Sequence, residues 1–220
     1  MNKLRRNCLI WVLSMAVIAV AITTPPALAQ TKKGVDLFNS WKIQESEKVL
    51  REAVKANPQD IQAAYYLGLS VLMLDKHSEA LAILLKVQES HAKAGKGGPA
   101  VPDEYQIRIA LARTYLELKQ NDEAWKNLEA ANKLNAGAID GYIYRGAYYI
   151  NKANLPQAIK ELEKAMSMDN NNAYAHYYAG YAYLRSGNPA KALEAFKSFI
   201  QLAPLAPEVV NVKALVLALC

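Results

Sequence analysis

Three histidines and two cysteines are the residues of this chain best suited to metal or nucleophilic chemistry. A zinc-type ion needs ligands gathered at short spacings, so that one turn or one helix face presents them together. His77, His91 and His176 stand far apart, and Cys8 and Cys220 lie near opposite ends. Acid–base work would need carboxylates that face each other. Glu45 and Glu47, like Glu161 and Glu163, are two residues apart, which on a helix puts them on different faces. The sequence has no H-E-x-x-H, no G-x-S-x-G and no phosphate-cradling glycine loop. An enzyme is not expected, nor is a metal or other cofactor. What remains is recognition by contact, and its material is tyrosine: thirteen residues, from Tyr65 to Tyr183.

What positions those tyrosines is a repeat. Ser46, Ala80, Ala124, Ala158 and Ala192 are spaced by 34 residues, except for one gap of 44 between Ala80 and Ala124. A period near 34 signals stacked helical hairpins, none of which buries its apolar face alone. With these residues set at position 20, position 8 reads Gly34, Gly68, Ala112, Gly146 and Gly180. Position 24 reads Leu50, Leu84, Leu128, Leu162 and Phe196, and position 27 reads Ala53, Val87, Ala131, Ala165 and Phe199. Small residues at 8 and 20 let two antiparallel helices approach closely. Apolar residues at i, i+3, i+4 and i+7 predict two helices of about a dozen residues per unit. Asn154 ahead of Pro156, and Asn188 before Pro189, read as helix starts, with Ser78 and Asn121-Asp122 in the same role.

This pattern resembles the tetratricopeptide repeat (TPR), with leucine–glycine near positions 7 and 8, tyrosine at 11, alanine at 20 and 27, and proline at 32. Leu67-Gly68, Tyr115, Tyr149, Tyr183, Pro58 and Pro204 carry it. No unit has the family's tryptophan at position 4. The resemblance implies an all-α fold: a right-handed superhelical solenoid of antiparallel helix hairpins, about four and a half repeats over residues 30–206. It also implies that first helices line a concave face. The residues it assigns to a peptide-binding groove are Tyr65, Leu69 and Leu72; Ile109, Arg113 and Leu116; Ile143 and Ile150; and Tyr174, Tyr177, Tyr181 and Leu184. Every tyrosine falls on a first helix, and Tyr174, Tyr177 and Tyr181 share one stripe. Tyrosine offers large contact area at small entropy cost. The family's carboxylate clamp is absent, because position 5 carries Tyr65, Ile109, Ile143 and Tyr177 instead of lysine. Arg113 alone brings a fixed charge, either for an acidic group of a partner or for solvent.

Three segments break the register. Residues 91–102, with Gly95, Gly97, Gly98, Pro99 and Pro102, read as an inserted loop. Residues 207–220 read as a closing helix, apolar at Val209, Val210, Val212, Leu215, Val216, Leu217 and Leu219. That helix is expected either to be covered by the last hairpin or to supply a homodimer contact, to which Cys220 could add a covalent link. The start is different again. Lys3, Arg5 and Arg6 precede an uncharged run from Cys8 to Ile22, and Ala27-Leu28-Ala29 follows. This reads as a secretory signal peptide over residues 1–29, cut before Gln30, with the first helix beginning near Thr31 or Lys32. Left uncut, the same segment would tether the chain to a membrane. Removing it leaves 23 basic against 20 acidic residues, a net charge of +3 that does not suggest nucleic acid.

The expectation is therefore an exported protein, periplasmic or secreted. It serves as an interaction adaptor or scaffold that holds an apolar peptide or helix of a protein partner in its groove. The alternative is a self-associating envelope protein that uses its last helix.

Overall fold

The computed structural model describes residues 26–94 and 102–219. Residues 1–25, most of the expected signal segment, residues 95–101 of the expected loop, and Cys220, the expected site of a covalent link, lie outside the described residues. Eleven helices are seen among the described residues: α1 (Pro26–Asn39), α2 (Ile43–Ala56), α3 (Ile61–Met73), α4 (His77–Ala94), α5 (Glu104–Glu117), α6 (Asn121–Leu134), α7 (Ile139–Asn151), α8 (Leu155–Met168), α9 (Ala173–Arg185), α10 (Pro189–Leu202) and α11 (Val209–Leu219). The first ten pair as five antiparallel hairpins, each packed on the next, and α11 packs on α10. The fold is the all-α solenoid of paired helices with a final helix that the sequence implies.

The period is written in the packing. The position-20 residues Ser46, Ala80, Ala124, Ala158 and Ala192 are all fully buried. Position 8 receives the side chain of position 24: a methyl added to Gly146 would stand 2.5 Å from Leu162 Cγ, and one added to Gly68 would stand 2.8 Å from a Leu84 methyl. The leucine of the second helix thus sits on bare backbone of the first. Where serine replaces alanine at Ser46, its hydroxyl donates to the Gly34 carbonyl at 2.9 Å and lies 3.0 Å from Ser70 Oγ, so no polar group is stranded.

Each hairpin turns by the same device. Position 15 is left-handed in all five units: Trp41 (φ 61°), Asp75 (59°), Lys119 (58°), Ala153 (57°) and Gly187 (79°). The next residue's N–H reaches back to position 11, as in Lys42 to Leu37 and Asn154 to Tyr149 at 2.9 Å each. The left-handed residue itself donates to position 12, as in Ala153 to Ile150 at 3.0 Å. These two bonds make a Schellman stop, normally built on glycine. Only one of the five units has glycine there. Ala153→Gly is expected to raise stability by up to about 1 kcal/mol, because it relieves a left-handed alanine. A fall in the urea midpoint would mean that the turn carries no such strain.

Helix starts follow the expected caps in part. Asn154 accepts from the Gln157 N–H and Asn188 from the Lys191 N–H. Asp60, Asp103 and Asn172 do the same for α3, α5 and α9, Asp103 within a full capping box with Gln106. Ser78 and Asn121 do not cap. They lie inside α4 and α6, because the Schellman stop before each sets the start at His77 and Asn121. Two boundaries also move. α1 is already helical at Pro26, ahead of the expected start near Thr31, and α4 continues through Ala94, so residues 91–94 of the expected loop are helical. The closing helix divides its apolar residues. Val209 and Val212 are buried, and Leu215, Val216 and Leu219 pack against the core, whereas Val210 and Leu217 are 76% and 79% exposed.

The curvature follows from which helices meet. The backbones of α1 and α3, α3 and α5, α5 and α7, and α7 and α9 approach closely, whereas among the described residues successive second helices reach each other through long side chains, as Arg51 of α2 does to Glu79 of α4 at 2.7 Å. First helices crowd together on the inside while second helices splay apart on the outside. No described helix is long and apolar enough to cross a membrane.

Candidate binding site on the inner face

Because the first helices are crowded, their inner residues are more enclosed than an open trough would leave them. Tyr65, Leu72, Ile109, Leu116, Ile143 and Ile150 are buried, and Leu69, Arg113, Tyr174, Tyr177, Tyr181 and Leu184 are half-buried. The two ends of the solenoid also meet across this face. Trp41, in the α1–α2 turn, packs on Tyr174 of α9 with ring centroids 6.5 Å apart. Arg113 of α5 points Nη2 at Glu208 Oε1, 3.4 Å away, in the corner between α10 and α11. The Tyr174 hydroxyl donates to the same oxygen at 3.1 Å. The guanidinium carbon lies 4.9 Å from the centre of the Tyr174 ring. So the acidic group that Arg113 reads here is one of this chain's own.

This contact divides the inner face into three spaces. The first, a cavity of about 350 Å³, is walled by Phe38, Trp41, Tyr65, Ile109, Arg113, Asp140, Tyr144 and Tyr174, with Leu69 and Met73 beside them. The second, about 120 Å³, is a cleft from Leu72 and His77 to Tyr177, Pro207 and Glu208. The third, about 230 Å³, lies between Leu116 and Ile150 on one side and Tyr177, Tyr181 and Arg185 on the other. Of the residues assigned to the groove from the sequence, Tyr65, Leu69, Ile109, Arg113 and Tyr174 meet around the first space. Leu72, Leu116, Ile150, Tyr177 and Tyr181 line the other two. Ile143 is 1% exposed within the core, and Leu184 packs against it.

Phe38, Trp41, Asp140 and Tyr144 complete the first cavity and are absent from that groove set. Asp140 stands at position 2 of its unit, one of the inward-pointing positions (2, 5, 9 and 12) that the family resemblance implies, whereas Tyr144 at position 6 falls beside that stripe. Trp41 had no such signal, because its place inside the superhelix depends on a left-handed turn that its residue type does not announce.

The electrostatics suit neutral phenols around fixed charges. Burial raises the pKa of Tyr65, Tyr144, Tyr174, Tyr177 and Tyr178, so their hydroxyls stay protonated throughout the physiological range. Burial works against the charge on Arg113, but the surrounding tyrosines 144, 174 and 178 and the Glu208 carboxylate outweigh it, and the guanidinium keeps its proton. Asp140 is pushed above the ordinary carboxylate range by burial. His176 is 7% exposed and its Nε2 lies 2.8 Å from the Asn170 carbonyl, a structural role. Among the described residues no cluster of histidine, cysteine or carboxylate side chains is placed to hold a metal ion.

The repeated hairpin and this enclosed inner face define a helical-repeat interaction scaffold. Tetratricopeptide repeat models match residues 31–99 and 145–207, and another matches residues 105–137. The chain belongs to the tetratricopeptide repeat family, a non-catalytic scaffold for protein and peptide interaction. No curated protein matches its sequence. Among solved structures it is similar to TTC0263, a thermophilic TPR protein of Thermus thermophilus, at 19% identity and a TM-score of 0.67, over 87% of this chain and 99% of that one. It is similar to a chain of the APC/C hetero-tetramer Cut9–Hcn1 at 15% identity and a TM-score of 0.68, over 88% of this chain and 36% of that one. MamA from Desulfovibrio magneticus RS-1 gives 19% identity and a TM-score of 0.53, over 81% and 95%. At these identities the likeness is one of fold.

Proposed function

We propose that this protein is an exported adaptor that takes a peptide or a projecting side chain of a protein partner into the aromatic cavity on its inner face. The observation that carries this reading is the 350 Å³ space among Trp41, Tyr65, Tyr144 and Tyr174, which lies where the two ends of the solenoid meet. Aromatic walls with a few placed polar groups are the usual make-up of a recognition pocket. Its size suits one or two side chains better than a whole helix, which narrows the ligand expected from the sequence. Export rests on the basic start, the uncharged run and Ala27-Leu28-Ala29.

A photo-crosslinking residue at Asn39, which is exposed and borders the cavity, is expected to capture a partner in the cell envelope. The same residue at Lys160, exposed on α8, is expected to capture none. Equal capture from both positions would refute the inner-face reading. An intact mass that begins at Gln30 would establish cleavage, and a mass that retains residue 1 would favour the membrane tether.

A second reading has its own observation. Val210, Ala214 and Leu217 form one exposed stripe of α11, at spacings of four and three. Self-association through this stripe predicts a mass that rises with concentration and a Val210→Asp/Leu217→Asp variant that stays monomeric. A monomer at all concentrations removes it.

A further inference from the structure

Asp140 is the residue of the inner face whose place in the packing is least explained. It stands in the first turn of α7, where an acid complements the helix dipole. Glu45, Glu104 and Asp122 do the same for their helices, and all three lie exposed. Asp140 instead lines the aromatic cavity and is half-buried. Among the described residues its side chain makes no ion pair and no hydrogen bond, while the other inner acid, Glu208, has both Arg113 and Tyr174. Arg113 borders the same cavity, but its charge is spent on Glu208 and on the face of Tyr174. A carboxylate placed in apolar surroundings without a counter-charge costs free energy that its own helix does not repay.

We propose that the cavity is a receptor for an aliphatic ammonium group, the side chain of a lysine presented by a partner peptide, with Asp140 as its counter-charge. The walls supply the second half of the recognition. Trp41, Tyr65, Tyr144 and Tyr174 line the space with aromatic rings, and such rings attract a cation once water is excluded. A lysine fits this arrangement better than an arginine. Its charge is compact and meets several faces and one carboxylate at once, whereas a planar guanidinium stacks on a single ring, as Arg113 already does on Tyr174. The volume of about 350 Å³ is at the small end for a ligand site and suits one long side chain. The apolar stem would lie against Leu69, Met73 and Ile109, with its charged tip at Asp140. The basic partner implied is the opposite of the acidic one that Arg113 suggests when the sequence is read alone.

This assignment rests on the inner face being the binding surface, and the test separates the two. Random dodecapeptides displayed on phage are selected on the full chain, and the winners are synthesised and titrated against the native protein, Asp140→Asn and Asp140→Glu. The expected result is a lysine fixed at one position, a loss of about tenfold in affinity with Asp140→Asn, and retention with Asp140→Glu. Replacing that lysine by norleucine costs the native protein a similar factor and costs Asp140→Asn little. Thermal melts of both variants show that they fold. Peptides selected without a lysine preference, peptides that bind arginine equally well, or unchanged affinity for Asp140→Asn would each overturn the ammonium assignment while leaving the inner face as a binding surface. Peptides that cross-link only to the outer helices, or none selected at all, would overturn both.

Discussion

Arg113→Met is expected to lower the unfolding free energy by about 3 kcal/mol, a loss typical of breaking an enclosed ion pair from one side. The guanidinium is 14% exposed and its partner Glu208 is 21% exposed. Removing the cation leaves a carboxylate in that setting with only the Tyr174 hydroxyl as donor. Glu208→Gln should cost less, because the amide oxygen still accepts from Tyr174 and from Arg113. The double variant Arg113→Met/Glu208→Gln should recover part of the loss, since the stranded charge is what makes the single change severe. Urea titrations of the four proteins measure this directly. If Arg113→Met costs under about 1 kcal/mol, the pair behaves as a surface ion pair and does not hold the inner face together.

The second large effect is expected at Phe199. It is fully buried, and its ring centre lies 6.1 Å from that of Tyr174 and 5.1 Å from that of Tyr177. Phe199→Ala should cost about 3–5 kcal/mol through lost contact and a void that the rigid hairpin cannot fill. Phe199→Leu should cost much less. The change also removes the backing of Tyr174, so the inner cavity should bind more weakly even under conditions where the variant is folded. Thermal melts and peptide titrations report the two consequences separately. A binding loss no greater than that of an equally destabilising change in the first hairpin, such as Leu50→Ala, would show that Phe199 acts on stability alone.

The helix pairs, their order and the close crossings at positions 8, 20 and 24 were legible in the sequence, because each depends on a residue type repeated at a fixed interval. Turn geometry was not. Trp41, Asp75, Lys119, Ala153 and Gly187 share one backbone conformation and no side-chain chemistry. The residues assigned to the groove do lie on first helices, but their enclosure is not readable from the sequence. The period says that units stack and does not say how tightly the stack curves. Curvature here is strong enough that Trp41 reaches Tyr174, and Glu208 takes the place in front of Arg113 that the sequence left to a partner or to solvent. For the apolar closing helix the sequence leaves two expectations, cover by the last hairpin or a homodimer contact, and the structure shows one covered stripe and one exposed stripe. One hairpin is only wide enough to shield one side.

The meeting of Trp41 with Tyr174, and of Arg113 with Glu208 across 95 residues of chain, bears on how the molecule comes apart. A linear array of repeats behaves like a one-dimensional lattice in which each unit feels only its neighbours, and its two termini melt before its middle. Joining the first and last units turns that open lattice into a loop. Peeling one end then forfeits the contacts of the other, so partial unravelling gains little entropy for what it loses. The protein is expected to open as one body, with amide exchange in α1 and α10 nearly as slow as in α5.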